Sequence, residues 1–318
     1  MSPLKGLFAL RTPGGVTAPL SILIFHRVLP EPDALFPDEI DGQRFDGICR
    51  WLAKWFRVLP LDVAVAHIKS GTLPSRAACI TFDDGYADNH DVALPILQAH
   101  GLSSTFFIAT NYLDGGRMWN DSVIEAIRLC KLPHIDLGDL GHYPLGSIAQ
   151  RQLALNSLIS RIKYLPQTER LVKCAEIVQQ TQTTPSDRLM MTSNQVKTMR
   201  TAGMQIGAHT HSHPILTRLT QAQAQLEISG GKRFLENLLG ERVGLFAYPN
   251  GKPGEDYAAK DVEIVKSLGF DAAVTTQWGV TRAGDDMFQM RRFTPWDHSR
   301  TRFGLRLLLN LRHQGAVI

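Results

Sequence analysis

The chain has 318 residues, with 34 lysines and arginines against 30 aspartates and glutamates, and 44% of its residues are hydrophobic. This length allows one large α/β domain or two ordinary domains, and the moderate charge and apolar content exclude a disordered chain. The net charge of +4 is too dilute for a dedicated nucleic-acid-binding protein, because such proteins gather basic residues on one face or in one run.

The N-terminal segment and the cysteines both bear on the compartment. Met1–Leu20 carries Lys5 and Arg11, but Pro13 and two glycines interrupt its apolar residues. A secretory signal needs a continuous apolar core of about 7–15 residues, and a membrane span needs about 18. We therefore expect a cytoplasmic protein. Scattered cysteines without a C-x-x-C pair are typical of free thiols in a reducing compartment, and here they are Cys49, Cys79, Cys130 and Cys174.

Buried strands are expected at Leu20–Phe25, Ala77–Phe82 and Val243–Ala247. A second pattern, in which a helix is followed by glycine and a β-rich strand, occurs three times. Glycine after a helix is the usual left-handed cap, and the residues that follow suit a buried strand. The three examples are Ala93–His100 with Gly101 and Ser104–Ala109, Gln195–Ala202 with Gly203 and Met204–Ala208, and Val262–Leu268 with Gly269 and Phe270–Thr275. Strands that alternate with helices predict a parallel sheet or a barrel.

The segment from about Met118 to Met190 departs from this alternation. Ser122–Leu129 and Leu153–Tyr164 are typical of helices, and several glycines and a proline lie between them. We interpret the segment as a helical insertion, because no linker or internal repeat divides the chain. The sequence thus predicts one domain over residues 1–318.

The strand Ala77–Phe82 leads directly into Asp83, Asp84 and Gly85. Successive side chains at a strand end point to opposite sides, so two carboxylates there take different roles unless a cation joins them. Gly85 permits a sharp turn that exposes them. Asp-Asp-Gly is also ordinary turn chemistry, which leaves a purely structural role open.

Three histidines, His209, His211 and His213, follow the expected strand Met204–Ala208. Imidazole is the commonest side-chain ligand for zinc, and two histidines four residues apart can converge on one ion. The glutamate of H-E-x-x-H is absent, so this is not that metalloprotease motif. Two histidines with one aspartate would leave positions open for water and substrate, as catalytic metal sites do. The second aspartate would then be free to act as a base.

A third polar segment, Phe246–Gly251, follows the expected strand Val243–Ala247. An aromatic-Pro-Asn-Gly turn after an apolar strand forms a tight loop, and its backbone N–H groups can face an oxyanion. Taken alone, the motif favours an ordinary loop.

In combination, these motifs resemble the polysaccharide deacetylase family, also called the NodB-homology or carbohydrate esterase 4 family. They are Thr81-Phe82-Asp83-Asp84-Gly85, His209-Thr210-x-x-His213 and Phe246-x-Tyr248-Pro249-x-Gly251, in the order that the family shows. The resemblance implies a distorted (β/α)7-type TIM-like barrel and the hydrolytic removal of N-acetyl groups from amino sugars. It also implies a divalent metal, for which we expect zinc, with cobalt, nickel or iron compatible with the same ligands.

The resemblance also implies a role for each matched residue. Asp83 matches the catalytic base, and His211 falls on a variable position of its motif. Tyr248 matches the residue whose backbone N–H holds the oxyanion. The positions of the metal ligands are matched by Asp84, His209 and His213.

Two features of many family members are absent here. The third motif lacks the arginine that orients the base, and we expect Arg291 or Arg292 to substitute for it. The C-terminal Leu-x-His motif, which supplies the general acid, is not visible either. Instead, Phe25-His26-Arg27-Val28 resembles the N-terminal element of the biofilm poly-N-acetylglucosamine deacetylases, whose barrel order is permuted. This analogy implies that His26 is the acid, and His298 is the competing candidate.

The expected substrate is an N-acetylated polysaccharide, oligosaccharide or lipid-linked glycan precursor. Tyr248, Arg292 and Trp296 are the expected substrate-binding residues, and Trp119 and Trp278 are further candidates for sugar-stacking walls. Because we see no export signal, we favour a cytoplasmic precursor. A hydrolase of the same fold that acts on an O-acetyl ester or a non-sugar amide is the alternative, and a non-catalytic glycan-binding relative is the third hypothesis.

The C-terminal segment Arg302–Arg312 interleaves leucines and arginines. A helix of this kind can lie on an anionic membrane face, although a helix packed on the barrel is the favoured interpretation. We therefore expect no transmembrane segment, with peripheral contact at the inner membrane as the open alternative.

Overall fold

A computed structural model describes residues 3–313, 315 and 317–318. Within these residues the chain forms eleven α-helices and ten β-strands. The helices are α1 (Pro3–Arg11), α2 (Gly42–Trp55), α3 (Leu61–Lys69), α4 (Leu94–Ala99), α5 (Trp119–Leu129), α6 (Ile148–Ile162), α7 (Gln167–Gln180), α8 (Ser193–Thr201), α9 (Gln221–Leu239), α10 (Ala259–Ser267) and α11 (Arg300–Asn310). The strands are β1 (Ser21–Phe25), β2 (Arg57–Val58), β3 (Ala77–Phe82), β4 (Thr105–Ile108), β5 (His134–Asp136), β6 (His142–Pro144), β7 (Gln205–Ala208), β8 (Leu245–Ala247), β9 (Ala272–Trp278) and β10 (Met290–Arg292).

Seven parallel strands form a nearly closed barrel in the order β1-β3-β4-β7-β8-β9-β10. The short strand β2 pairs with the start of β3. Just after β10, Phe293 donates its N–H to the Ile22 carbonyl at 2.7 Å and accepts the N–H of Ile24 at 3.0 Å. These bonds join the last strand to the first and leave little free edge. The predicted (β/α)7-type barrel is therefore confirmed.

The three helix-glycine-strand units predicted from the sequence are present as α4–β4, α8–β7 and α10–β9. Their glycines, Gly101, Gly203 and Gly269, have φ angles of 62°, 87° and 73°, the left-handed conformation that ends a helix without strain in glycine. At the start of α8, Thr192 and Gln195 exchange the hydrogen bonds of a capping box. The four cysteines are buried free thiols, as predicted.

The predicted helical insertion lies between β4 and β7. It contains α5, α6 and α7 together with a two-stranded hairpin, β5–β6. Its buried apolar side chains pack on one another in a cluster of their own, which includes Val123, Ile127, Leu155, Leu158 and Ile177. The sequence predicts α5 and α6 but misses α7 and the hairpin, whose strands have only three residues each. The assignment of residues 1–318 to a single domain stays a prediction.

Aromatic rings fill the core beneath the carboxyl ends of β1, β3 and β4. Phe82 lies between Phe25 and Phe106, with ring centres 5.2 and 4.8 Å away, and Phe45 of α2 meets both Phe25 and Phe82 edge-on. Such close-packed rings leave little room for local adjustment. They fix the backbone of β3 immediately before Asp83.

The C-terminal helix α11 packs against the barrel. Phe303 and Leu307 are buried, whereas Leu305 and Leu309 are exposed. Gly304 allows α1 to cross closely, because a Cβ at this position would lie 2.7 Å from a methyl group of Leu4. Across the residues that the structure describes, no helix combines the length and apolarity needed to cross a membrane. Peripheral membrane contact through α11 stays a prediction.

We predict that Phe82→Ala lowers the free energy of unfolding by about 3–5 kcal/mol, the usual cost of removing a phenylalanine ring from a packed core. Urea unfolding followed by circular dichroism measures this loss. Leu226→Ala on the exposed face of α9 is the control and should change stability by no more than about 0.5 kcal/mol. Equal losses in the two variants would show that the ring stack does not support the strand ends.

Candidate active site

Polar side chains from several strand ends meet at one end of the barrel. His26 follows β1, Asp83 and Asp84 follow β3, and His209 follows β7. Because all seven barrel strands are parallel, their carboxyl ends share one rim. A cavity of about 240 Å³ lies at this rim, and we call it the catalytic cavity. The residues that line it from the barrel side are His26, Asp83, Asp84, His209, His213, Ile215, Asn250 and Thr276, and those from the insertion side are Met118, Trp119, Asn120, Ile159, Lys163 and Arg170.

Asp84 lies between two histidines within this cavity. Its Oδ1 is 3.4 Å from Nε2 of His209 and 3.3 Å from Nε2 of His213, and the three ligand atoms lie within 4.8 Å of one another. Nδ1 of His209 is 2.7 Å from the Ala247 carbonyl oxygen. That carbonyl can only accept, so Nδ1 carries a proton and Nε2 faces the cluster. Asp84 Oδ1 is buried and has no hydrogen-bond partner among the described residues.

The loop after β7 is held in the shape that returns His213 toward His209. Thr210 and His213 have positive φ angles of 64° and 54°, a conformation that costs free energy outside glycine. The Thr210 hydroxyl oxygen accepts the His213 N–H at 3.1 Å. Glu227 of α9 accepts hydrogen bonds from the N–H groups of His211 and Ser212, at 3.1 and 2.7 Å. These bonds offset the strain and fix the histidine spacing.

The charge states of this cluster fit a divalent metal. Burial alone would raise the pKa of Asp84, but His213 and His209 outweigh it and hold that pKa well below its usual range. Burial lowers the pKa of His213 to about 4, so its imidazole is neutral at pH 7. Burial alone would lower the pKa of His209, but its contact with Asp84 outweighs this effect and leaves the pKa raised. A metal ion bound to Nε2 of His209 would take the place of a proton on that nitrogen.

His211 lies outside the cluster. Its Nδ1 is 3.0 Å from the Thr110 hydroxyl, and it is not among the residues whose ligand atoms converge. The donor set of two imidazole nitrogens and one carboxylate oxygen is one that zinc and several neighbouring metals accept.

Asp83 is bound to Arg292 rather than to the histidines. Its two carboxylate oxygens each accept a guanidinium N–H of Arg292 at 2.7 Å. The same guanidinium donates to the Thr275 carbonyl at 2.6 Å, and the Arg292 side chain is fully buried. Burial alone would raise the pKa of Asp83, but Arg292 outweighs it and keeps the pKa below its ordinary value.

This arrangement bears on two predictions for the arginines. Arg292 is the one that takes the place of the arginine missing from the third motif, whereas Arg291 is 3.3 Å from Asp285. The expectation that Arg292 binds substrate directly stays a prediction, and its buried guanidinium donates hydrogen bonds to Thr275 and Asp83.

The two histidines considered as the general acid occupy different places. His26 is exposed and lines the catalytic cavity. His298 is 61% exposed and lies 3.2 Å from Asp38, and it does not line that cavity. Of the two, only His26 has access to a group bound beside Asp83 and Asp84.

The geometry of the turn after β8 bears on the Tyr248 prediction. The Tyr248 N–H already donates to the Val274 carbonyl at 3.2 Å, and its ring is buried against Tyr257 at 4.0 Å. Tyr248 does not line the catalytic cavity, whereas Asn250, two residues later, does. Asn250 has a φ of 59°, and its N–H has no acceptor among the described residues. Asparagine before Gly251 is a residue that adopts positive φ readily, and the sequence analysis did not use this sign that the Asn250 N–H leaves the strand hydrogen bonds.

The predicted stacking tryptophans are spread over two adjoining spaces. Trp119 lines the catalytic cavity. Trp296 is 57% exposed and lines a separate groove of about 570 Å³, which meets the catalytic cavity at His26. Trp278 packs behind Trp296 with the ring centres 5.2 Å apart, and the guanidinium of Arg306 lies 4.9 Å from the Trp296 ring centre.

Comparison with known families identifies the chain. The sequence profile described as "Polysaccharide deacetylase" matches residues 70–134 and 163–273, more than half of the chain. The chain belongs to the polysaccharide deacetylase family. The matched residues of this deacetylase include Asp83, Asp84, His209 and His213, whereas His26, Arg292 and Trp296 lie outside them.

Individual relatives agree with this assignment. The protein is 21% identical over 277 residues to YxkH of Bacillus subtilis (strain 168), an alignment that covers 86% of this chain and 71% of YxkH. Its fold is similar to that of the Streptococcus pyogenes deacetylase PplD in complex with acetate, with a TM-score of 0.62 and 17% identity over 93% of this chain and 100% of PplD. It is also similar to a de-N-acetylase from Aggregatibacter actinomycetemcomitans, with a TM-score of 0.60 and 14% identity over 91% and 99% of the two chains.

We predict that Arg292→Met destabilises this polysaccharide deacetylase by about 3–5 kcal/mol at pH 7, because it leaves the Asp83 carboxylate buried without a cation. In the wild type, the lowered pKa means that Asp83 stabilises the fold above its unfolded-state pKa of about 3.9. That contribution is lost as the pH falls through the lower folded pKa. In the variant, burial raises the pKa, so the penalty grows above pH 4. The stability gap between the two proteins should therefore narrow from pH 7 to pH 4 in urea unfolding.

Arg291→Met is the matched control, because it removes a neighbouring arginine whose carboxylate partner, Asp285, is partly exposed. A partly exposed pair contributes about 1 kcal/mol or less, so this variant should show a small loss with little dependence on pH. A double variant, Asp83→Asn with Arg292→Met, should recover part of the stability that Arg292→Met loses. A gap that stays constant with pH would contradict the importance of the buried pair.

Proposed function

We propose that this protein is a metal-dependent hydrolase that removes N-acetyl groups from amino sugars of a glycan. One observation carries the proposal: a metal-ligand cluster and a separate buried carboxylate face the same cavity. The cavity, at about 240 Å³, is small and suits a single sugar ring with its acetamido group. Family membership and the deacetylases of similar fold support the same chemistry.

In this proposal, Asp84, His209 and His213 hold the metal. Their burial, their spacing and the unpartnered Asp84 Oδ1 support the assignment. A divalent metal at this place supplies a Lewis acid that polarises the acetyl carbonyl and makes water more acidic. We expect zinc, and cobalt, nickel and iron suit the same donors.

Asp83 is the proposed general base. The Arg292 ion pair keeps its carboxylate ionised at neutral pH despite burial. A carboxylate has about four acceptor sites and Arg292 uses two of them, so Asp83 retains capacity to accept a proton from the attacking water. Arg292 acts as a positioning residue, since it touches Asp83 and not the substrate.

Asn250 is the proposed oxyanion donor in place of Tyr248. The charge that develops on the acetyl oxygen needs a fixed donor, and loss of one such donor typically costs about 3 kcal/mol. The N–H of Asn250 has no acceptor among the described residues, and Asn250 lines the catalytic cavity. The Asn250 carbonyl is held by the Thr276 hydroxyl at 2.7 Å, which fixes the direction of the turn.

His26 is the proposed general acid. An amine leaves an amide only when a proton reaches its nitrogen. His26 stands at the junction of the catalytic cavity and the Trp296 groove, so it faces the sugar side of a bound acetamido group. We further propose that Trp296 contacts a neighbouring part of the glycan, because one exposed ring backed by Arg306 is a suitable sugar platform.

The decisive experiment is acetate release from N-acetylated and O-acetylated saccharides by the metal-loaded protein. We expect acetate from N-acetylated saccharides, and Asp83→Asn should lower kcat by at least about 10²-fold, the usual contribution of a general base. Asp83→Asn should retain the metal in elemental analysis, whereas His209→Ala should lose it. Acetate released from O-acetyl esters alone would replace the proposal with the ester alternative. Equal metal loss in both variants would refute this division of roles.

A second prediction separates His26 from His298. His26→Ala should lower kcat on an N-acetyl substrate by about 10²- to 10⁴-fold. The loss should be much smaller on 4-nitrophenyl acetate, whose leaving group needs no proton. His298→Ala is the matched control and should retain near-wild-type rates on both substrates. A rate on the amide that is lowered by His298→Ala and unchanged by His26→Ala would reverse the assignment.

A further inference from the structure

A second cleft, of about 400 Å³, opens beside the catalytic cavity. Both spaces are lined by Lys163, Arg170 and Ile215, so a molecule bound at the metal-ligand cluster can extend into the cleft. Arg218 lines the far part of the cleft, and none of its lining residues is acidic. We call this space the basic cleft.

Arg170 is the unusual residue of the basic cleft. Its side chain is only 8% exposed, and its Nε has no hydrogen-bond partner among the described residues. One guanidinium N–H donates to the Lys163 carbonyl at 3.0 Å, and the guanidinium lies 5.1 Å from the centre of the Trp119 ring. Burial lowers the pKa of Arg170, and no carboxylate of the described residues forms an ion pair with it. A buried cation without an anionic partner is costly to retain.

Two further cations converge on the same cleft. Lys163 Nζ and the Arg218 guanidinium lie 5.3 and 5.5 Å from the centre of the Tyr164 ring. Neither has a carboxylate within ion-pair distance in the part of the chain that the structure describes, unlike Lys173 and Arg200 elsewhere on the surface. Three cations that form no ion pair among the described residues lie around one space, and such an arrangement favours the binding of an anion.

We propose that the basic cleft binds an anionic group of the substrate, and that this group is a phosphate attached to the N-acetylated amino sugar. The proposal rests on the proposed function for the placement of the sugar. A phosphate monoester carries about 1.5 to 2 negative charges at pH 7, so it balances the charge of three cations better than a single carboxylate does. Arginine also binds two phosphate oxygens at once through its planar fork. The substrate class is then a phosphorylated or phosphate-linked amino sugar, either free or on a lipid.

The test compares charged and neutral ligands by isothermal titration calorimetry on the metal-loaded protein. N-acetylglucosamine 1-phosphate should bind at least about tenfold more tightly than N-acetylglucosamine, since it adds charge-assisted hydrogen bonds. The preference should shrink as salt is raised. N-acetylmuramic acid, which carries a carboxylate, should fall between the two. Equal affinities for the phosphorylated and neutral sugars would overturn the proposal.

Variants connect this preference to the cleft. Arg218→Ala and Lys163→Met, at exposed and half-buried positions, should each reduce the ratio of the two affinities by about fivefold. Arg170→Met should reduce it most, and the other two variants keep the test decisive if Arg170→Met does not fold. Arg233→Ala, which removes an exposed arginine of α9 outside the cleft, is the control and should leave the ratio unchanged. A ratio that responds equally to Arg233→Ala and Arg218→Ala would overturn the proposal.

The binding readout separates this proposal from the proposed function. If the protein prefers the phosphorylated sugar but releases no acetate from it or from any acetylated saccharide, the deacetylase proposal fails and the anion site stands. If acetate is released with no preference for phosphate, the anion site fails and the deacetylase proposal stands. Sedimentation with phosphatidylglycerol vesicles that Arg218→Ala abolishes, without any sugar-phosphate preference, would assign the cleft to a membrane surface instead.

Discussion

The ion pair between Asp83 and Arg292 is the contact on which the geometry of the site depends. Arg292 ends β10 and Asp83 follows β3, the two strands that flank β1 where the barrel closes. Two hydrogen bonds of 2.7 Å join the groups in a fully buried position. Either charge alone would be costly there, so the arginine at the end of β10 neutralises the carboxylate that follows β3. The same contact lowers the pKa of Asp83, and it holds the Asp83 carboxylate against Arg292 and away from the metal-ligand cluster.

Two adjacent carboxylates thereby acquire different chemistry. Asp83 has a guanidinium partner, whereas Asp84 faces two imidazoles and has a positive φ of 81°. Strained backbone of this kind persists where the surroundings determine it strongly, often at functional sites. Here the surroundings are the ring stack beneath β3 and the loop after β7, which Glu227 holds in place. Environments that separate two like groups are a general way for one site to supply both a ligand and a base.

The family-matched segments and the rest of the chain contribute different parts of the site. The matched residues supply the metal-ligand cluster and Asp83. His26, Arg292 and Trp296 lie outside them, so the proposed general acid, the partner of Asp83 and the proposed sugar platform come from the flanking strands and loops. The insertion covers the cavity with Trp119, Ile159 and Lys163. Trp119 and Lys163 lie within the family-matched segments and Ile159 lies outside them, so both parts of the chain line the cavity.

The sequence by itself determined the alternation of strands and helices, the glycine caps and the clustering of Asp83, Asp84, His209 and His213. The strands, helices and caps depend on residues close together in the chain, so periodicity and short motifs reveal them. Asp84 and His209 are far apart in the chain, and their association was predicted because each follows an expected parallel strand and because the motifs together resemble a known family. The sequence predicts Arg291 or Arg292 as the partner of the base, and only the tertiary structure decided that Arg292 is the one that pairs with Asp83. The tertiary structure also shows that the Tyr248 N–H is bound to Val274 whereas the Asn250 N–H has no acceptor among the described residues, since the direction of a backbone N–H depends on the φ angles of a turn and on the strand beside it. The basic cleft has the same origin: Lys163, Arg170 and Arg218 meet because α6, α7 and the loop after β7 pack together, and no local pattern encodes that contact.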